Sequence, residues 1–253
     1  MNSRHHRFIL SSLLIIALLA SCSQSPASAP PASTGSPAIA GCSNAYFPTS
    51  IGTSWSYSSS GSQQGGYTYT WTVTDLNDQG FTTSDQYSTG VNATIKWTCQ
   101  NGNLSALNGG SDSLSLTSSK ATLKSNSIAS EGYNIPANFG SGNSWAEKVT
   151  VDGTITTSTS KTANVQIVTQ LHCAIAGTET ISVPAGKFDT VKAACTQTLS
   201  LSALVQGTAV PAGSPAKEGI TNWYAKGIGL IQSVRSGTTN GTETIVLTQY
   251  SVK

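Results

Sequence analysis

The chain has 253 residues, enough for one large all-β domain or two small ones. Only 9% of its residues are charged, against about 25% in ordinary soluble domains; Ser, Thr, Gly and Asn take the polar positions instead, a balance that suits strands and turns rather than helices. Of the 13 basic residues, Arg4 and Arg7 stand in an N-terminal leader, so the remainder balance the 11 acidic ones, and such a neutral chain carries no electrostatic footprint for DNA or RNA.

The leader begins with the basic stretch Met1–Arg7. An apolar run, Phe8–Leu19, follows; it is shorter than the ~20 residues that span a bilayer. The run ends in Leu19-Ala20-Ser21-Cys22, which resembles the bacterial lipobox. That resemblance implies a signal peptide over 1–21, a diacylglycerol on the Cys22 thiol and fatty acylation (palmitate-like chains) of the new amino terminus. A single acyl chain holds a protein to a membrane only marginally, which is the physical reason for several. The alternative is a plain secretory signal cleaved elsewhere. Ser23 follows the cysteine, where many Gram-negative lipoproteins retained in the inner membrane carry Asp; in such a bacterium the outer membrane is the expected address. Residues 22–41 are rich in Pro, Ala, Ser and Gly and hold too little apolar surface to fold, so they read as a disordered tether.

Folding is expected over 42–253. Tyr46-Phe47-Pro48 and Ile51–Tyr57 give an aromatic lead-in, a glycine turn and a first strand. In Tyr67–Thr74 aromatics and Val73 alternate with threonines, the cleanest strand pattern in the chain. Phe81–Tyr87 reads as a short strand; Ile95, Trp97 and Cys99 share a face. Asn101-Gly102, Asp152-Gly153 and Asn240-Gly241 each signal a tight hairpin turn. Ser113–Ser130 reads as two strands or a loop, with a short helix as the alternative, and Ala203–Gly219 as a long exposed connection. The longest patterned run is Val165–Val205, turning at Pro184-Ala185-Gly186, and Asn222–Ile231 reads as a later strand with a glycine bend. Pro48…Gly52-Thr53-Ser54-Trp55 is echoed by Pro136…Gly142-Asn143-Ser144-Trp145, by chance or by duplication. The whole predicts one all-β domain: a single antiparallel, strongly twisted sheet forming a curved open barrel or a sandwich.

Three segments carry a family resemblance: Tyr46-Phe47-Pro48…Gly52…Trp55…Tyr57, then Val183-Pro184-Ala185-Gly186-Lys187-Phe188, then Trp223-Tyr224-Ala225-Lys226-Gly227-Ile228-Gly229. Together they resemble the markers of uncharacterised bacterial envelope lipoproteins. The resemblance spans most of Tyr46–Val234 and implies a twisted antiparallel sheet without an established activity.

With Cys22 committed to lipid, Cys42, Cys99, Cys173 and Cys195 remain, and four cysteines in an oxidising compartment allow three pairings. Cys173 and Cys195 sit on apolar faces flanking one turn. Their pairing is favoured, leaving Cys42 for Cys99, although simple registration requires a bulge to bring the first pair opposite. No close Cys/His spacing suggests zinc, and no cofactor motif is present. Outside the leader the chain has one histidine, His172, on the polar side of its strand, with no Gly-x-Ser-x-Gly elbow to serve. Glu131, Glu147, Glu179 and Asp189 are dispersed, so a hydrolase is the least supported reading and the expectation is a non-enzymatic protein with no catalytic residues. Gly227-x-Gly229 lacks the following helix of a nucleotide loop.

The aromatics remain. Tyr69, Trp71, Trp97, Trp145, Trp223 and Tyr224 concentrate on expected strands, where they line an apolar cavity or fill a core. The expectation is a membrane-anchored envelope protein binding an apolar or lipid-like ligand on a concave aromatic face; the alternative is an assembly module that binds an envelope protein or glycan.

Overall fold

A computed structural model describes residues 40–61, 65–90, 92–106, 121–157, 159–237 and 241–253. Cys22 and the leader, with the tether as far as residue 39, lie outside the described residues. Thirteen strands form one antiparallel sheet: β1 Ser54–Ser60, β2 Tyr67–Asn77, β3 Gly80–Tyr87, β4 Asn92–Gln100, β5 Asn103–Ala106, β6 Ala121–Gly132, β7 Ser144–Thr157, β8 Thr162–Val183, β9 Gly186–Val205, β10 Thr208–Pro211, β11 Ala216–Ala225, β12 Gly229–Gly237 and β13 Gly241–Ser251. Their order across the sheet is β5-β4-β3-β2-β1-β13-β12-β11-β9-β8-β7-β6, with β10 also paired to β9. Two meanders are thus joined where the first strand meets the last. The sheet curls into a nearly closed barrel.

Alternation decides which side is inside. In β2, Tyr69, Trp71 and Val73 are buried while Thr68 and Thr74 are exposed. The same parity turns Trp55 and Tyr57 of β1, Phe81 of β3, Trp97 of β4 and Ile245 and Leu247 of β13 into one core. Rings fill much of it. Tyr57 stacks on Tyr69 at 5.0 Å, Tyr69 on Tyr87 at 5.1 Å and Phe81 on Trp97 at 5.3 Å, pairs worth about 0.5–1.5 kcal/mol each beyond their area burial.

Closure occurs between β5 and the segment ahead of β7. Leu104 and Ile135 exchange backbone hydrogen bonds of 2.9 and 3.0 Å. Asn44 fastens the same end: its amide donates to the carbonyls of Gly102 (2.7 Å) and Pro136 (3.0 Å), and its Oδ1 accepts from the Tyr46 N–H (2.8 Å). Gly102 has positive φ, and a Cβ there would lie 2.8 Å from the Ser43 carbonyl oxygen, so glycine is required. Phe47 and Phe139, from the loops before β1 and β7, pack on Trp55 and Trp145 respectively.

Several local expectations give way to the ladder. Asp152-Gly153 is not a turn. β7 runs straight through it because β6 and β8 both pair there, and the chain reverses instead through Ser160, at φ 60°. Residues 203–219 are not one loose connection: Gln206 and Gly207, both at positive φ, make a two-residue turn between β9 and β10. Asn222–Ile231 is two strands, since Gly227 at φ 75° and the Ile228 N–H to Ala225 carbonyl bond reverse the chain between β11 and β12. The part of Ser113–Ser130 within the described residues is strand β6; residues 107–120 lie outside them. Asn101-Gly102 does form the two-residue hairpin turn between β4 and β5, whereas Asn240 lies outside the described residues.

Disulfides join Cys42 to Cys99 and Cys173 to Cys195. Pairing from the Pro184-Ala185 turn sets Gly177 opposite Lys192, then shifts by one so that Ile175 faces Ala193 and Cys173 faces Cys195. The extra residue is Ala176. Beyond this bulge the hairpin leaves β7 behind, and the Ala185 N–H at its tip reaches the Leu247 carbonyl of β13 at 3.2 Å.

Two outcomes follow from this geometry. Deleting Ala176 removes only the unpaired residue and leaves every other pair as it is, so Cys173 still faces Cys195, the bridge forms, and thiol titration of the unfolded chain finds neither cysteine of this pair free. Asn44→Ala strands two buried carbonyls and lowers unfolding free energy by about 2–3 kcal/mol, read from the denaturant midpoint.

Candidate functional site

The barrel encloses a small chamber of about 70 Å³. One wall is aromatic: Tyr69 and Trp71 of β2, Trp97 of β4, Tyr224 of β11 and Phe47 from the lead-in. The facing wall is polar and comes from inward positions of the second meander: Glu147 of β7, Thr169 of β8, Gln197 of β9, Asn222 of β11, and Ser233 and Arg235 of β12. Strand register aligns them. Leu171 connects Glu147 to Gln197 across three adjacent strands, and Asn222 stands opposite Ser233.

Glu147 is 4% exposed. Its carboxylate accepts hydrogen bonds from the Ser105 hydroxyl, the Ala106 backbone N–H and the Asn134 amide (3.3 Å). It therefore bridges β7 to β5 where the two strands lack a continuous ladder. Burial pushes its pKa up, and the three donors offset part of that rise. Burial also pushes Tyr224 up to about 12 and Tyr57 well above the ordinary phenol value. Both phenols stay protonated at neutral pH, and the Tyr57 hydroxyl donates to the Leu230 carbonyl at 3.0 Å.

Trp71 Nε1 and Ser233 Oγ are buried without a hydrogen-bond partner among the described residues. Both side chains line the chamber. Trp97 Nε1, by contrast, donates to the Thr83 hydroxyl at 3.2 Å.

Of the six aromatic residues expected to form a ligand face, the chamber gathers Tyr69, Trp71, Trp97 and Tyr224. Trp145 is buried beside it, its indole N–H bonded to the Asn134 carbonyl at 2.9 Å. Trp223 has the opposite parity from Tyr224; its indole N–H donates to Glu179 Oε1 (2.7 Å), and Lys192 lies 5.2 Å over its ring. Glu179 also pairs with Lys192 at 3.1 Å, and these partners, the Trp223 hydrogen bond first, hold its pKa below the ordinary value. Asp189 instead accepts from Thr180, so Glu179 and Asp189 do not form a carboxylate pair. His172 is exposed in a shallow outer groove with Glu131, Lys148 and Gln170, where Lys148 reaches Glu131 at 3.7 Å. Among the described residues no group of three or more His, Cys, Asp or Glu is placed to hold a metal ion.

The polar wall was accessible to sequence reasoning but was not found by it. Glu147 shares the parity of Trp145, Val149 and Val151, and Gln197 falls between Cys195 and Leu199 on one face. A polar residue at an inward position of an otherwise apolar strand face is the signal.

Fold and site define a single-sheet β-barrel with a small, mixed aromatic and polar interior. Residues 57–246 match the DUF3108-like family, and the chain belongs to it. Two crystal structures share the fold. One is a "putative lipoprotein" from Parabacteroides distasonis ATCC 8503, with 18% identity, a TM-score of 0.51, and 82% of this chain and 99% of that chain covered. The other is a "putative exported protein with YmcC-like fold" from Bacteroides fragilis NCTC 9343, with 14% identity, a TM-score of 0.50, and 83% and 100% covered. No curated protein matches the chain.

A carboxyl whose folded pKa is raised favours folding below its unfolded pKa and loses that contribution as pH rises through the folded value. Glu147→Gln keeps an acceptor for Ser105 and Ala106 without the buried charge. The variant is expected to be the more stable protein at pH 7, with the difference vanishing by pH 4, in denaturation curves across that range. Glu147→Ala, which leaves Ser105 and Ala106 without their acceptor, is expected to cost about 1–3 kcal/mol.

Proposed function

We propose that this protein is a lipid-anchored lipoprotein of the bacterial envelope whose barrel binds an apolar or lipid-like ligand through its interior without chemical conversion. The observation that carries the reading is the chamber itself: an aromatic wall opposite a few convergent polar groups, with Trp71 Nε1 on the first and Ser233 Oγ on the second buried without a hydrogen-bond partner among the described residues. Natural binding sites have this composition, and buried polar atoms left over in a core ask for an occupant. The anchor rests on Leu19-Ala20-Ser21-Cys22, and Ser23 favours the outer membrane in a Gram-negative cell. The described names of the two structural neighbours agree with an exported, lipid-bearing protein.

A second reading, an assembly module, draws on one observation. Leu201, Val205 and Val210 are exposed at the β9–β10 end, and every residue of β10 is exposed, leaving an apolar sheet edge open to a partner.

Native mass spectrometry of the full acylated chain, purified from its own envelope, separates the two. A noncovalent mass that organic extraction removes is the expected result. A chain carrying only its covalent acyl groups moves the assignment to the assembly module, with crosslinking in intact envelopes as the readout.

A further inference from the structure

The chamber states what its occupant must offer. Trp71 is 9% exposed and its indole N–H can only donate; Ser233 is 2% exposed and its hydroxyl can donate or accept. Leaving such groups unmatched in a core is costly, so an occupant presenting oxygen acceptors is what the chamber lacks.

Charge narrows the class. Glu147 lines the chamber, and Asp85, fully buried, stands directly across the β2–β3 ladder from Trp71 on the same inward face. Against these two acids the chamber has one guanidinium, Arg235, whose cross-strand neighbour is Glu243. A carboxylate head entering here meets more acid than base in a poorly solvated space. An uncharged head does not.

Size narrows it further. About 70 Å³ is well below the ~300–1,000 Å³ of sites that swallow a drug-sized ligand, so only one end of a larger molecule fits. The inward face of β9 supplies a continuation. Beyond Gln197 it runs through Leu199 and Leu201 to Val205, and exposure rises from 6% at Gln197 to 39% at Leu201 and 55% at Val205. Leu199 joins Val149, Val151 and Ile167 in a second apolar cluster.

We propose that the chamber holds the uncharged, acceptor-bearing head of a single-chain amphiphile, an ester or amide carbonyl bonded by Trp71 Nε1–H and Ser233, with its hydrocarbon chain leaving along β9 over Leu199, Leu201 and Val205. This rests on the ligand-binding reading of the site and adds the chemistry of the ligand.

The test uses the full acylated chain, extracted and titrated by native mass spectrometry with three twelve-carbon probes: monododecanoylglycerol, dodecanoate and dodecyltrimethylammonium. One equivalent of monododecanoylglycerol binds, at least tenfold more tightly than dodecanoate or the ammonium probe. Trp71→Phe keeps an aromatic ring and removes the donor; it and Ser233→Ala each weaken the glyceride about tenfold, while the thermal midpoint of the extracted chain does not fall. Should Trp71→Phe lose its fold, Ser233→Ala, which removes one oxygen, decides alone. Leu201→Asp weakens the dodecanoyl glyceride but not its butanoyl homologue. Equal or tighter binding of either charged probe, or glyceride binding indifferent to both chamber variants, overturns the head assignment while ligand binding itself stands. Failure of every probe to bind a chain that also leaves its envelope without a noncovalent mass removes both readings.

Discussion

The structure depends on how one sheet closes on itself. Thirteen strands in a single ladder leave two edges, and an edge is a row of unmet N–H and C=O groups. Here the edges meet through very little backbone. β5 is only four residues long and touches the other meander by the Leu104–Ile135 pair. Side chains do the rest. Asn44 ties the turn before β5 to the loop before β7, and Glu147 takes hydrogen bonds from Ser105, Ala106 and Asn134 across the gap. Without those ties the Phe47 plug and the ring stack behind it would face water.

That solution explains why the interior is mixed. A barrel closed by a full ladder could be lined by aliphatic side chains alone. A barrel closed by a carboxylate must place that carboxylate inside, with donors around it, because an unmet buried charge is far more costly than a buried neutral group. Glu147 is therefore both a structural tie and part of the chamber wall. Apart from Tyr224 of β11, the aromatic wall comes from the first meander and its lead-in, where β2 alternates Tyr and Trp with Thr. The polar wall lies on the second, where Thr169, Gln197, Asn222 and Ser233 interrupt apolar faces.

How much of this was legible in the sequence follows from the range of each interaction. The Tyr67–Thr74 alternation and the Asn101-Gly102 turn are local, and both took the form their residues dictate. Asp152-Gly153 carries the same local signal, but Gly153 is flanked by Ser125 on one strand and Val165 on the other. Two ladders outweigh one turn preference. Gln206-Gly207 turns for the converse reason: Gln rarely takes positive φ, so nothing in its identity announces the hairpin. The chamber was half legible. Aromatic residues on strands suggested a concave face, yet which of them would share it depended on parity, and the regular alternation of β11 turned Tyr224 inward and Trp223 out.

The echo between residues 48–55 and 136–145 gains physical content from closure. Gly52 and Gly142 have nearly the same positive φ, 83° and 81°. In each case the residue after the glycine donates its N–H back to a carbonyl three residues earlier, and a strand begins with Ser-Trp. Each indole N–H then bonds a distant or preceding carbonyl, Ile228 for Trp55 and Asn134 for Trp145, and each loop contributes a phenylalanine that packs on its own tryptophan. The two loops meet at Asn44–Pro136 and at the Tyr46–Phe139 ring contact of 4.6 Å. A similar device ahead of β1 and ahead of β7 packs against one end of the barrel. The two lead-ins share the glycine turn, the Ser-Trp start and a phenylalanine packed on that tryptophan, but their indoles tie differently: Trp55 reaches a carbonyl 173 residues away, Trp145 one 11 residues before it, so the first fastens the two meanders to each other and the second only its own loop.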